Sequence, residues 1–197
     1  MTSREAILAA VRSNQPAPAT ALPQIPIFEK TSHSLLDDFR DALLRMGGKF
    51  AEAQAGAALD SLIRSLFPQA KVICSATPEV AGTRALPVNS EPADLADVDI
   101  AVVRAAFGVA ETGSIWLSEQ ELRVNALAYL AQHLVVLLDP NDIVGNLHHA
   151  YRDPRFQTAR YAVLVTGPSA TADIEGVLIH GAQGVRSLTV VPVPRAR

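Results

Sequence analysis

The sequence has a single cysteine, Cys74, among its 197 residues. One cysteine excludes an internal disulfide framework. It also excludes an iron–sulfur cluster held by this chain's own thiolates, because such clusters usually need about four. A structural zinc site of the usual kind is excluded for the same reason. We therefore expect neither an iron–sulfur cluster nor a metal in this chain, and the sequence identifies no other cofactor.

The sequence also lacks an excess of charge of one sign. It contains 17 Lys and Arg against 20 Asp and Glu, a formal net charge of -3, and no basic block interrupts the chain. A nucleic-acid partner, which needs clustered positive charge, is therefore not expected. Long hydrophobic runs are missing too, since the first residues have no apolar core of signal-peptide length and no later stretch could span a bilayer. These absences predict a cytoplasmic protein without membrane insertion.

Two segments of different character make up the chain. Residues 1–30 are predicted to form a helical arm, in which Thr2 or Ser3 caps a short helix and four prolines then prevent its continuation, at positions 16, 18, 23 and 26. Such an arm could dock on a partner or on a second copy of the chain, or could be a frayed terminus. Residues 31–197 are long enough to bury one sizeable core and are predicted to form the main domain.

Short apolar runs alternate with amphipathic segments through this domain. Helices are predicted over 34–47 and about 56–67, and a further helix is predicted to begin at Asp139-Pro140-Asn141. Apolar strands are predicted over 71–74, 100–103, 114–117, 134–138, 161–165 and 188–193. All-apolar strands separated by helices predict the α/β class, with a sheet covered by helices on both faces.

The first candidate site is the turn before the strand at 114–117. Ligands in open α/β sheets collect at turns beyond the ends of strands. Here Gly113 would let the backbone approach a ligand, and the hydroxyls of Thr112 and Ser114 could donate hydrogen bonds. Glu111 could act as a general base or nucleophile. The alternative is a tight turn that only joins two strands.

The second candidate site follows the strand at 161–165. Gly167 and Pro168 end that strand, and Ser169 or Thr171 is predicted to cap a helix with Asp173 in its first turn. The free N–H groups of such a helix can instead bind a carboxylate or phosphate, although an acidic residue in the turn opposes an anion. The pattern leaves both interpretations open, a capped helix start and an anion site.

Histidines are not expected to bind a metal. His148 and His149 are adjacent, so they would project in different directions from a helix. His133 and His180 lie beside apolar residues and are predicted to be structural.

Three segments together resemble one known family. They are FGVAETGSIWL at 107–117, the block from Arg123 through His133 to the strand LVVLL, and TGPSATADIE at 166–175. In order and spacing they cover roughly 97–191 and resemble the lactate-utilisation protein C family, the LUD-domain proteins. The resemblance implies a three-layer α/β/α sandwich like that of ribose-phosphate isomerases and CoA transferases.

The same resemblance implies a role in bacterial oxidation of L-lactate to pyruvate. Family members work beside two iron–sulfur proteins encoded as separate chains, so this chain would be a non-redox or accessory subunit. A small organic acid or anionic ligand is expected between the Glu111 and Ser169 turns. Two alternatives stay open, a stand-alone enzyme acting on a CoA thioester or sugar phosphate and a pure scaffold. A homo-oligomer also stays open.

This chain departs from the family pattern after the second turn. Family members usually continue with a Gly-x-His-Gly-Pro turn, whereas this chain has Gln183 and Val185 in place of the histidine and proline. Glutamine does not titrate near neutral pH, so no acid–base role can fall on that position.

Overall fold

The computed structural model describes residues 2–16, 23–28, 34–53, 58–87, 89–173 and 176–195. The helices are α1 (Ser3–Ser13), α2 (Leu35–Arg45), α3 (Leu59–Leu66), α4 (Glu119–Leu122), α5 (Leu127–Leu130), α6 (Leu147–Tyr151) and α7 (Arg155–Thr158). Short 3₁₀ turns cover Pro92–Leu95 and Pro140–Asp142. Within these ranges no helix combines the length and the apolar character needed to cross a membrane.

The strands of the described residues form three sheets. They are β1 (Lys49–Phe50), β2 (Ile73–Ser75), β3 (Ile100–Arg104), β4 (Phe107–Val109), β5 (Ser114–Ser118), β6 (His133–Leu138), β7 (Ile143–Val144), β8 (Ala162–Val165), β9 (Ala170–Thr171), β10 (Ile179–His180) and β11 (Ser187–Pro192). A five-stranded central sheet has the order β1-β11-β6-β3-β2 and is parallel throughout. The predicted α/β class is confirmed.

Helices cover both faces of the central sheet. On one face Phe39 and Leu43 of α2 belong to the same core as the sheet residues Val103 and Leu134. On the other face Ile63 of α3 packs with the sheet residues Val102, Val135 and others. This double coverage explains why the central strands are apolar at consecutive positions. The predicted start of α3 near residue 56 lies outside the described residues.

A second sheet, of order β7-β4-β5-β8, lies beside the first core. Ile115 and Leu117 of β5 point into the core shared with the central sheet, while Trp116 packs on the far side with Phe107 and Ala150. The strands predicted over 114–117 and 161–165 therefore belong to a separate sheet. Because both faces of β5 are buried, its sequence has the continuous apolar character of a central parallel strand.

The prediction that a helix begins at Asp139-Pro140-Asn141 is wrong. Pro140–Asp142 forms only a 3₁₀ turn, in which the Asp139 carboxylate accepts a hydrogen bond from the Asn141 N–H at 2.9 Å. The next two residues, the β-branched Ile143 and Val144, pair in parallel with β4 instead of continuing a helix. α6 begins only at Leu147.

The N-terminal arm contains the predicted helix. In α1 Thr2 and Glu5 form a reciprocal capping box, and no residue of α1 is buried. Residues 23–28 are not helical, and the Phe28 carbonyl accepts a hydrogen bond of 3.0 Å from the Asn146 side-chain amide. The arm thus contacts the main domain next to α6. The predicted boundary at 30/31 lies outside the described residues.

His133 packs against Phe67 at the end of α3 and bonds to the neighbouring strand β11, which are contacts typical of a structural histidine. Its ring lies 4.7 Å from the Phe67 ring between centroids, and its Nδ1 is 2.8 Å from the Ser187 hydroxyl. Burial lowers the pKa of His133, and the charges of Lys49 and Arg186 lower it further. His180, in contrast, is exposed in β10.

This lowered pKa predicts a pH dependence of stability. Because the folded-state pKa of His133 lies below its unfolded value of about 6.5, its contribution is present above that pH. It is lost as the pH falls through the unfolded and then the folded pKa. We expect the Tm of His133→Gln to vary less than that of the wild type between pH of about 5 and 7. His180→Gln is the control, and thermal unfolding with equal slopes for His133→Gln and wild type would contradict the expectation.

Candidate functional site

The first predicted turn connects β4 to β5 at one end of the second sheet. Gly113 has φ +68°, and a Cβ placed on it would lie 2.3 Å from the Leu43 backbone nitrogen of α2. Its own N–H donates to the Val109 carbonyl at 2.9 Å. The glycine is therefore required by both the turn and the close approach of α2.

Glu111 is exposed on this turn and holds it against α6. One carboxylate oxygen accepts a hydrogen bond of 3.1 Å from the Leu147 N–H, at the first residue of α6. The Glu111 N–H donates to the Gly145 carbonyl at 3.1 Å. A carboxylate at a helix N-terminus satisfies a free N–H group and interacts favourably with the helix dipole. The geometry thus gives Glu111 a structural contact in addition to its predicted chemistry.

Three hydroxyls join the two predicted turns. The Ser114 hydroxyl lies 2.7 Å from that of Thr112 and 2.5 Å from that of Thr166. Ser114 is buried, and Thr166 directly follows β8, which pairs antiparallel with β5. The pairing of these strands therefore places the turn after β8 next to the turn before β5.

Gly167 packs against the end of α2, as Gly113 does. It has φ +70°, and a Cβ placed on it would lie 2.2 Å from the Met46 carbonyl oxygen. Pro168 lies close by, near Gly47. Both turns therefore pack against the C-terminal end of α2.

The prediction that Ser169 or Thr171 caps a helix is wrong. Ala170–Thr171 forms β9, which pairs antiparallel with β10, and the Thr171 hydroxyl donates to the Asp173 carboxylate at 3.1 Å. Gly176 has φ +68°, which no right-handed helix tolerates. The anion site that depended on the free N–H groups of this helix loses its physical basis.

Ser169 contacts the segment in which this chain departs from the family pattern. Its N–H donates to the Val185 carbonyl at 3.0 Å, and its carbonyl accepts from the Gly181 N–H at 2.9 Å. Val185 is buried and Gln183 is exposed. The backbone of this segment thus fixes Ser169 from both sides.

Two neighbouring cavities open beside the first turn, and both are lined by Arg45 and Glu111. The first, called the acidic cavity, has a volume of about 450 Å³ and is also lined by Asp38, Asp41, Asn146 and His149. The second, called the hydroxyl cavity, has about 470 Å³ and is also lined by Thr112, Ser114, Leu164 and Thr166. Among the described residues that line them, Ser169, Thr171 and Asp173 do not occur.

The charges of the two cavities differ. The lining of the acidic cavity contains three carboxylates and Arg45, and Asp41 lies 3.8 Å from the Arg40 guanidinium. In the hydroxyl cavity the charges of Arg45 and Glu111 balance, and the hydroxyls of four side chains can form hydrogen bonds, those of Thr112, Ser114, Tyr151 and Thr166. A small anion with a hydroxyl or keto group is therefore better matched to the hydroxyl cavity, because like charges oppose it in the other.

Asn146 connects the arm to this region. It caps α6 by accepting a hydrogen bond of 3.0 Å from the His149 N–H, and its amide donates to the Phe28 carbonyl. Phe28 also lines the acidic cavity. Phe28 of the arm therefore forms part of the cavity wall.

The parallel sheet, the second sheet and the two cavities together define an α/β protein with room for a small molecule beside α2. The chain belongs to the LUD-domain family, since the family model described as LUD domain matches residues 92–193. This match contains all three segments that carried the resemblance.

A solved structure supports the fold. A DUF162-family protein from Deinococcus radiodurans matches with a TM-score of 0.60 and 17% sequence identity, over 81% of this chain and 96% of that chain. At this identity the likeness shows the fold alone. No curated protein matches the chain significantly in sequence.

Several residues of the cavities were missed by sequence reasoning. Arg45 lies in the last turn of α2, where a basic residue is ordinary, so nothing in the pattern singled it out. Thr166 directly precedes the predicted Gly167-Pro168 turn, and only its pairing with β5 reveals its place. Among the described residues no cluster of three or more His, Cys, Asp or Glu side chains could hold a metal ion.

Proposed function

We propose that the chain is a non-redox component of a bacterial L-lactate utilisation system, in which separate iron–sulfur proteins carry the electrons from lactate. The observation that carries this proposal is the match of the LUD-domain model over 92–193. The LUD-domain family is associated with lactate utilisation. The match includes both turns that pack against the end of α2. The proposal places this chain beside its partners in the oxidation of L-lactate to pyruvate.

The position of the cysteine supports a system in which the partner proteins, and not this chain, hold the iron–sulfur clusters. Cys74 lies in β2 with no exposed surface. A cluster shared with a partner would need a thiolate at the surface, and a cluster in this chain would need about four. Electron transfer through iron–sulfur clusters is therefore assigned to the partner proteins.

The hydroxyl cavity supports a ligand of the right chemistry. A 2-hydroxy or 2-oxo acid has a carboxylate for the Arg45 guanidinium and an oxygen that can bond to Thr112 or Thr166. Leu164 provides apolar surface for the methyl group of such an acid. We assign lactate or pyruvate to the hydroxyl cavity, which Glu111 also lines.

Removing the Arg45 guanidinium tests this assignment. We expect Arg45→Met to weaken binding of L-lactate and pyruvate by about tenfold or more, because a charge-assisted hydrogen bond contributes roughly 1.5–3 kcal/mol. The measurement is a calorimetric titration of the purified chain with each acid. The matched control is Arg40→Met, since Arg40 is on the same helix and pairs with Asp37 at 3.0 Å. Equal affinities for Arg45→Met and wild type would contradict the assignment.

A further inference from the structure

A third cavity lies at the carboxyl edge of the central sheet, away from the two cavities beside α2. It has about 280 Å³ and is lined by Thr77, Glu79, Arg104, Gln120, Glu121 and Arg195 among others. In a parallel sheet the carboxyl ends of all strands meet at one edge, and here β2 and β3 lead directly to Thr77 and Arg104. None of the described residues that line it also lines the acidic or the hydroxyl cavity.

Arg104 lines this cavity, and one nitrogen of its guanidinium has no hydrogen-bond partner among the described residues. Its side chain is 9% exposed, its Nε donates to the Glu79 carboxylate at 2.5 Å, and its Nη1 donates to the Val193 carbonyl at 2.9 Å. Its Nη2 is buried and has no hydrogen-bond partner among the described residues. A buried donor left unbonded costs roughly 1–3 kcal/mol, more for a charged group, so such a group needs an explanation.

Glu79 does not complete the bonding of this guanidinium. One of its oxygens accepts from Arg104 Nε and the other accepts from the Thr77 hydroxyl. A carboxylate that used both oxygens on Arg104 would form the bidentate pair that arginine favours. Because Glu79 divides its oxygens between two partners, Nη2 is left for another acceptor.

We propose that this cavity binds the carboxylate of a small organic anion, with Arg104 Nη2 as the principal donor. Arg195 adds a second guanidinium at the cavity and is held in place by Asp142 at 2.8 Å and by the Ala105 carbonyl at 2.8 Å. Glu79 and Glu121 also line the cavity, so its wall contains two positively and two negatively charged side chains. A monoanion suits this balance better than a dianionic phosphate, which would place two further negative charges beside two carboxylates.

The test uses the Arg104 Nε–H signal in the nuclear magnetic resonance spectrum of isotope-labelled protein, assigned by its loss in Arg104→Met. We expect this signal to shift saturably on titration with sodium acetate and not with sodium chloride at equal ionic strength. A shift no larger with acetate than with chloride would overturn the proposal. Saturation by inorganic phosphate but not by acetate would overturn the choice of a carboxylate.

Variants at Gln120 keep the test independent of the buried ion pair. Gln120 is exposed on the first turn of α4 and lines the cavity. We expect Gln120→Glu to weaken acetate binding and Gln120→Lys to strengthen it, each by a few-fold. Identical titration midpoints for the two variants would contradict a site at this cavity. The proposal does not rest on the proposed function, because the readout reports on Arg104 alone.

Discussion

Replacing Gly113 by alanine is expected to lower the free energy of unfolding by about 3 kcal/mol, through backbone strain of roughly 1–2 kcal/mol and a clash of roughly 1–3 kcal/mol. Gly113 has φ +68°, and the new Cβ would lie 2.3 Å from the backbone nitrogen and 2.6 Å from the Cα of Leu43. The clash is with backbone atoms of a helix, which cannot move as a flexible side chain can. Either α2 shifts away from the turn or the turn changes its conformation.

Gly176→Ala is the matched control for this prediction. Gly176 also has φ +68°, but a Cβ on it would meet nothing within 4 Å. It therefore carries the backbone strain without the clash, and we expect a loss of only about 1–2 kcal/mol. Denaturant unfolding of both variants provides the comparison. Equal losses for Gly113→Ala and Gly176→Ala would show that α2 does not press on the turn.

Truncating Leu43 to alanine is expected to be comparably damaging, with a loss of about 2.7–5 kcal/mol. Leu43 has no exposed surface and belongs to the core between α2, the central sheet and the second sheet. Its removal leaves a cavity that the surrounding strands cannot close without moving. Since Arg45 follows two residues later on the same helix, the hydroxyl cavity should be disturbed as well.

Leu44 provides the comparison within α2. It is the next residue but is 50% exposed, so the same Leu→Ala change removes half-solvated atoms and leaves no enclosed cavity. We expect Leu44→Ala to cost less than about 1 kcal/mol. Thermal and denaturant unfolding of the two variants measure the difference. A loss in Leu44→Ala that matches Leu43→Ala would contradict the described orientation of α2.

The central sheet could be predicted because each of its longer strands is an apolar run that is visible in the local sequence. The runs at 100–103 and 134–138 are apolar at every position, the run at 188–193 is apolar except at Thr189, and they form β3, β6 and β11. α2 was equally clear, since its apolar residues recur at helical spacing and Gly47 follows its end. Local pattern was sufficient wherever one element buries a continuous face.

The second sheet could not be predicted from local pattern. β5 is apolar because one of its faces packs against the main core and the other packs against Phe107 and Ala150. The sequence shows that both faces of the strand are buried, but it does not show which elements bury them. The hydroxyl contact between Ser114 and Thr166 joins residues 52 positions apart. Such pairing follows from sheet register, which only the folded chain displays.

The prediction of a helix after Gly167-Pro168 was wrong for a different reason. Ser169, Thr171 and Asp173 are residue types that cap helices, but the same types also bond to each other in turns. In the structure the Thr171 hydroxyl donates to Asp173, and the backbone of Ser169 bonds to Gly181 and Val185. The positive φ of Gly176 then excludes a helix through that point. The composition was compatible with both outcomes, and long-range backbone pairing decided between them.

The most direct test of the proposed function is the rate of lactate-dependent dye reduction in a mixture of this chain and the iron–sulfur proteins of the same lactate-oxidising system. We predict that the iron–sulfur proteins alone reduce the dye slowly and that adding this chain restores the rate. We further predict that Arg45→Met restores it less well than Arg40→Met does. A full rate from the iron–sulfur proteins without this chain would contradict the account.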